Sequence, residues 1–149
     1  PFPLADLISD IVMDHQALAE RNGLKLTAEI MDDTGLVRGD IRLLERAAQN
    51  LVENAVKFTP EGGCVKVMLR REGRKVHLTV SDTGPGIEEK DLAHIFERFY
   101  RTADGKDSAS TGLGLAIAQR IAHLHETVIE VRSRPGEGTA FSLTLDAAP

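Results

Sequence analysis

Two runs of alternating apolar residues, Val65 to Arg70 and Val76 to Ser81, are separated only by a short stretch holding Glu72-Gly73. Alternation at period two marks a half-buried strand, and so short a link between two such runs predicts a tight antiparallel hairpin. A second adjacent pair, Val128 to Ser133 and Thr139 to Leu145, flanks Pro135-Gly136-Glu137-Gly138. Adjacent strand pairs break the strict strand-helix alternation that a doubly wound parallel sheet requires. Helical patterns stand before and between these pairs. Leu4, Leu7, Ile8, Ile11, Val12, His15, Leu18 and Ala19 recur at three- and four-residue spacing, which predicts an amphipathic helix over 4–21 stopped by Asn22-Gly23. Leu24, Leu26, Ala28 and Ile30 alternate as a strand does, and Leu36-Val37 reads as a short extended piece pairing nearby. Asp40 reads as the N-cap of a helix running to about Lys57, ended by Thr59-Pro60-Glu61-Gly62-Gly63. Residues 88–99 and 114–125 complete the helices, and 101–111 has no apolar period and reads as a loop. The expected fold is α+β: a two-layer α/β sandwich, with three main helices on one face of a mixed, mostly antiparallel sheet of about five strands.

Composition narrows the function classes. A chain of 149 residues reads as one domain, 1–149, able to bury about two-thirds of its unfolded surface without staples. Its single cysteine, Cys64, excludes a disulfide scaffold, suits a reducing compartment and reads as an ordinary strand residue. No uninterrupted apolar run approaches the ~18 residues a membrane helix needs, so this segment is not expected to span a membrane. With 23 acidic against 18 basic residues and a net charge of −5, a general nucleic-acid binder is disfavoured, although a local basic patch could hold an anion. The chain starts Pro-Phe-Pro without an initiator Met, which we read as a piece of a longer polypeptide.

On the central helix, Leu44, Ala47, Ala48, Leu51, Ala55 and Phe58 fall within a stripe about 100° wide that faces the core. Asn50, Asn54 and Lys57 fall on a strip beside it, one turn apart. Asparagine is a mediocre helix former because its amide competes for backbone hydrogen bonds, so two at i and i+4 run against local propensity. Both amides could simply hydrogen-bond the sheet edge. Alternatively, an amide oxygen is a hard neutral ligand for a Mg²⁺ held mainly by phosphates, which Lys57 could also meet. Asp82-Thr83-Gly84-Pro85-Gly86-Ile87 follows a strand. It is either an ordinary Pro-Gly turn or a place where glycines let the backbone approach a flat ligand while the Asp82 carboxylate accepts from an exocyclic amine such as that of adenine. Thr111-Gly112-Leu113-Gly114-Leu115 carries a loop into a helix, where exposed N–H groups suit phosphate. It lacks the preceding strand of a Rossmann fingerprint or P-loop. Phe96-Glu97-Arg98-Phe99-Tyr100-Arg101 stands at the root of that loop, and the stretch from Arg98 to Lys106 has three positive charges and one negative. It is a solvated cluster or an electrostatic lid over phosphate oxygens.

Taken in order, Asn50 to Pro60, Asp82 to Ile87, Ile95 to Arg101, Gly112 to Leu115 and Gly136 to Thr139 resemble the N, G1, F, G2 and G3 boxes of bacterial sensor histidine kinases. The resemblance spans nearly the whole chain and places it with the catalytic and ATP-binding domains of the GHKL superfamily, alongside gyrase-type, chaperone-type and mismatch-repair ATPases. It implies the histidine kinase-type ATP-binding fold and the cofactors ATP and Mg²⁺. Catalytic roles are implied for Asn50, Asn54, Lys57 and Arg101, with Asn54 as the Mg²⁺ ligand and Asn50 its partner. Asp82 would read adenine, with Gly84 and Gly86 at the base pocket and Thr139 supporting it. Lys57 and Arg101 would meet the phosphates, Gly112 and Gly114 would hold them at the end of a lid over 101–111, and Ile87, Tyr100, Thr111, Leu113 and Leu115 would also belong to the ATP site. The implied function is transfer of the γ-phosphate of Mg·ATP to a histidine on a separate helical dimerisation domain, with a response regulator downstream, no nucleic acid, and a cytoplasmic setting whether or not the parent protein is membrane-anchored.

Departures from that pattern matter as well. Ser110 stands where the G2 box usually has glycine. His125 is followed by Glu126-Thr127 in place of two glycines, so different backbone angles are expected there. None of His15, His77, His94, His123 and His125 has an acidic helical phosphoacceptor context, so the acceptor domain is expected to be absent and the chain alone inactive in autophosphorylation. The alternatives are a GHKL-type ATP hydrolase, a degenerate nucleotide-binding or docking module without kinase activity, and a kinase of serines on the same fold. A hydrolase would need a general base one turn before Asn54, and Asn50 cannot take a proton; Glu53 points about 100° away on the helix.

Overall fold

A computed structural model describes residues 1–97 and 113–148 of the chain. Tyr100, Arg101, Ser110, Thr111, Gly112 and the expected lid over 101–111 therefore lie outside the described residues. In chain order the elements are β1 (Phe2–Pro3), α1 (Leu4–Arg21), β2 (Lys25–Ile30), β3 (Leu36–Val37), α2 (Ile41–Phe58), β4 (Cys64–Glu72), β5 (Lys75–Asp82), α3 (Glu89–Leu92), α4 (Gly114–Leu124), β6 (Ile129–Ser133) and β7 (Thr139–Asp146).

The hairpin forms with register Glu72↔Lys75, so its loop is Gly73-Arg74, and Gly73 at φ 63 supplies the positive φ such a loop needs. The five-stranded sheet runs β2-β4-β5-β7-β6. Among the described strands, β2 and β4 alone pair in parallel, and α2 lies in the crossover between them. Leu69, Leu78, Leu143 and Ile129 make one row across four strands, and Val67, Val80, Phe141 and Val131 the next. All of these but Val131 are buried, each large side chain contributing about 1.5–3 kcal/mol relative to exposure. One step further along the strands, the row is Val65, Asp82, Thr139 and Ser133. At that end the same inward face turns polar, and that is where the candidate site lies.

Three corrections to the sequence expectations have plain physical causes. Leu36-Val37 pairs with Phe2-Pro3, and Val37 also bridges Ala147, so the chain's first and last described segments meet on one short ribbon. The described part of the expected 88–99 helix, residues 88–97, is not one helix: among these residues Glu89–Leu92 is helical, and beyond it His94 N–H donates to Asp91 O and Glu97 N–H to His94 O. These three-residue turns bring Ile95 into the core and Phe96 edge-on to Phe141, ring centroids 6.1 Å apart. Finally, α2 buries Val52 and Val56 besides the predicted stripe and leaves Phe58 half-buried. A helix flanked by α1 on one side and α4 on the other buries a wider arc than one resting on a sheet alone.

Candidate functional site

The polar strip of α2 is presented by a well-anchored helix. The Asp40 side chain accepts from Arg42 N–H at 3.0 Å and Leu43 N–H at 3.1 Å, a full N-cap worth about 1 kcal/mol. His125, at the end of α4, donates from Nδ1 to Ile121 O at 2.8 Å and accepts at Nε2 from Asp40 N–H at 3.0 Å. One neutral imidazole thus ties the end of α4 to the start of α2. Asn50, Asn54 and Lys57 emerge on one side of α2, the amides half-buried and Lys57 exposed. Asn50 faces the first residue of α4: a Cβ on Gly114 would stand 3.9 Å from its Cγ. Its Nδ2 is buried with no hydrogen-bond partner among the described residues. An orphaned buried amide costs about 1–3 kcal/mol, so this N–H₂ group is matched to something other than the neighbours described. Lys57 Nζ sits 3.1 Å from Glu53 Oε1, a half-exposed pair worth a few tenths of a kcal/mol, so an anion of higher charge can draw it away.

At the other end of the strip, α2 meets the Asp82 loop. A Cβ on Gly84 would lie 3.1 Å from Phe58 O. Asp82 Oδ1 accepts from Gly84 N–H at 2.8 Å. Burial pushes the Asp82 carboxyl above its ordinary range, and hydrogen bonds from the backbone of Gly84 and Thr139 offset only part of that cost. Asp82 and Thr139 share a cleft of ≈ 460 Å³ whose wall includes Leu92, Val131 and Ser133. Asn50, Asn54 and Lys57 do not line that cleft, nor do Gly84, Gly86, Ile87, Gly114 and Leu115. The site therefore has two parts: a cleft over the polar sheet row, and the amide strip between Gly84 and Gly114.

Gly86 and Gly138 interlock the Asp82 loop with the β6–β7 turn. At φ 78 and φ 81 they occupy the left-handed region, and a Cβ would come within 2.0 Å of Arg134 O at Gly86 and within 2.1 Å of Asp82 O at Gly138. Gly136 N–H donates to Pro85 O at 2.7 Å between them. Gly86, expected at the base pocket, thus meets backbone on its side-chain face. Ile87 N–H donates to Ser133 Oγ at 2.7 Å, and Thr83 Oγ1 accepts from Cys64 N–H at 2.9 Å, pinning the loop to β6 and β4. Ser133 and Thr83 were not among the predicted site residues. The signal for Ser133 was its register position beside Thr139 and Asp82, which appears only once both strand pairs are aligned.

Leu113 sits at the N-cap position of α4 without offering a side-chain cap, and Leu115 packs half-buried on the core. The first residue of that helix lies beside Asn50, and the positive dipole end of a helix favours an anion. Glu126 takes φ 60. The turn after His125 therefore keeps the conformation glycine favours, despite the non-glycine residue. Among the described residues, no group of three or more His, Cys, Asp or Glu side chains gathers to hold a metal. Any divalent ion here would rest on amide oxygen and on oxygens of its own ligand, a donor set that suits Mg²⁺.

Residues 39–149 match the family described as histidine kinase-, DNA gyrase B-, and HSP90-like ATPase. The sensor protein DivL of Caulobacter vibrioides is 39% identical over 142 residues, covering 93% of this chain and 18% of its own length. The catalytic domain of histidine kinase ThkA superposes with a TM-score of 0.85 at 27% identity, covering 99% of this chain and 97% of that one. The same kinase in complex with response regulator protein TrrA gives 0.80 at 26% identity, over 99% of this chain and 41% of that one. Full-length ShkA in complex with AMPPNP gives 0.86 at 27% identity, over 99% of this chain and 31% of that one. The chain thus spans less than a fifth of DivL and under a third of ShkA.

Proposed function

The chain belongs to the histidine kinase-, DNA gyrase B- and HSP90-like ATPase family, and we propose that it is the ATP-binding catalytic domain of a sensor histidine kinase, presenting the γ-phosphate of Mg·ATP to a histidine on a separate helical dimerisation domain. The observation that carries this reading is Asp82, a carboxylate held half-buried against its own solvation at the polar end of an otherwise apolar sheet face. A group kept in so costly a state is suited to a ligand that supplies a donor, and the amino group of adenine is such a donor.

In this reading Asp82 accepts from the base, Thr139 and Ile87 support the base end, and Gly84 and Gly86 let the loop pack closely on Phe58 and Arg134, which holds Asp82 in place. Asn54 offers its amide oxygen to Mg²⁺, and Asn50 and Lys57 address the phosphates, Lys57 exchanging Glu53 for them. Leu113, Gly114 and Leu115 bring the start of α4 to the same anion. Arg101, Tyr100, Thr111 and Gly112 are proposed as further phosphate contacts, within a lid over 101–111, on their motif positions alone. When bound, Mg²⁺ supplies neutralisation of phosphate charge. The chain's own task is positioning and electrostatics, because phosphoryl transfer asks little covalent chemistry of the protein. The acceptor imidazole is the nucleophile and lies on the other domain. Asn50 occupies the slot a hydrolase needs for a proton acceptor, which favours transfer over hydrolysis. A cytoplasmic location and a response regulator downstream belong to the same proposal; no helix among the described residues is long and apolar enough to cross a membrane.

Calorimetric titration with Mg·ATP tests the assignment. The parent chain binds, and Asp82→Asn weakens binding about tenfold or more through loss of a charge-assisted hydrogen bond. Affinity in the parent falls as pH is lowered through the raised Asp82 pKa, because the protonated carboxyl loses acceptor capacity. Asn54→Ala removes the dependence of affinity on Mg²⁺. Parent-like binding in both variants contradicts the residue roles.

A further inference from the structure

Ser133 Oγ stands at the centre of three contacts: Ile87 N at 2.7 Å, Gly138 O at 2.9 Å and Thr139 Oγ1 at 2.8 Å. A serine hydroxyl has one proton and two lone pairs. Ile87 N–H can only donate, so it takes one lone pair. Gly138 O can only accept, so it takes the proton. Thr139 must then donate its own proton to the remaining lone pair. The opposite order would aim Thr139's lone pair at the Ser133 proton and leave two oxygen lone pairs facing each other across 2.9 Å, with the Gly138 carbonyl unpaired.

We infer that Ser133 is a positioning residue that fixes the polarity of Thr139, leaving the Thr139 hydroxyl with acceptor capacity only toward the cleft it shares with Asp82, so that the pocket selects a base bearing an amino group and rejects one bearing a carbonyl in its place. This rests on the reading of the cleft as a nucleotide-base pocket. Asp82 and Thr139 pair across β5 and β7, so two acceptors stand on adjacent strands of one row, and among the described residues lining the cleft Arg132 and Arg134 are the cationic donors, on either side of Ser133 in sequence. An amino group satisfies acceptors; a carbonyl oxygen meets lone pairs. A site built around a specific hydrogen bond rejects a ligand lacking the donor far more strongly than apolar packing does. Removing the Ser133 hydroxyl frees the Thr139 proton, and Thr139 can then donate to a carbonyl.

The test compares ATP with inosine triphosphate, which carries a 6-oxo group where ATP carries an amine. Dissociation constants are measured for the parent chain, Ser133→Ala and Ser133→Thr. The parent prefers ATP; in Ser133→Ala the ratio of the two constants shrinks about tenfold, and in Ser133→Thr, which keeps a hydroxyl, the ratio is restored. Equal weakening for both nucleotides in Ser133→Ala, with the ratio unchanged, overturns the proposal and leaves Ser133 a purely structural tie. Amide exchange at Ile87 without nucleotide separates the two levels of the argument. It quickens about tenfold in Ser133→Ala if the bridge exists, and an unchanged rate overturns the bridge. A parent chain that binds neither nucleotide while Ile87 exchange does quicken overturns the base-pocket reading and the selectivity drawn from it, though not the hydrogen-bond geometry.

Discussion

In the proposed function, Asp82 trades stability for binding. Its folded-state pKa lies above the ordinary carboxylate value because burial outweighs the hydrogen bonds it accepts. Folding therefore favours the protonated form: that contribution is complete below the unfolded-state pKa and is lost as pH rises through the folded-state pKa. At neutral pH the ligand-free protein bears the whole cost of a desolvated charge. Asp82→Asn is accordingly expected to raise the urea midpoint at pH 7, with the gain disappearing below the ordinary carboxylate range, while nucleotide binding weakens. A lower midpoint at pH 7 contradicts this account. Glu126 is a second strained residue, with a left-handed φ of 60 for a side chain that gains nothing from it in the hydrogen bonds described. Glu126→Gly is expected to stabilise the fold by about 0.5–1 kcal/mol, read from chemical denaturation.

At the scale of elements, the two hairpins act through the contact between their ends. Gly138 and Gly136 have the same φ of 81, yet a Cβ at Gly138 meets Asp82 O at 2.1 Å while one at Gly136 meets nothing within 4 Å. Gly136→Ala is expected to cost about 1 kcal/mol for backbone strain alone, and Gly138→Ala about 2 kcal/mol or more, with loss of nucleotide binding as the Asp82 strand end is displaced. Equal losses in denaturation of the two variants contradict the interlock. The strands and long helices were legible in the sequence because their apolar periods of 2 and 3.6 report which face is buried. The β1–β3 ribbon was not, since two residues carry no period and their pairing is decided by a distant segment. The 88–99 stretch misled because Leu92, Ile95 and Phe96 have helical spacing, whereas Leu92 ends the short α3 and three-residue turns bring Ile95 and Phe96 onto the core. For the site, Asp82, Thr139 and the amide strip stood out by residue type and motif order. Ser133 did not, because a serine ending a strand is unremarkable until register places it beside Thr139.

Across the whole molecule, the helices cover one sheet face, and that face changes from apolar to polar within one row, at Val65, Asp82, Thr139 and Ser133. There α2 ends against the Asp82 loop and its amide strip leads toward the start of α4, the arrangement on which the proposed nucleotide site rests. The account makes this chain half of a catalyst: it holds the phosphoryl donor, and another domain supplies the nucleophile. The most direct test mixes the chain with a candidate helical histidine domain and γ-labelled ATP with Mg²⁺. The account predicts acid-labile label on the partner's histidine, little label on this chain alone, and loss of transfer with Asn54→Ala. Free phosphate released at the same rate with or without partner, and no label on any helical histidine domain tried, would contradict it.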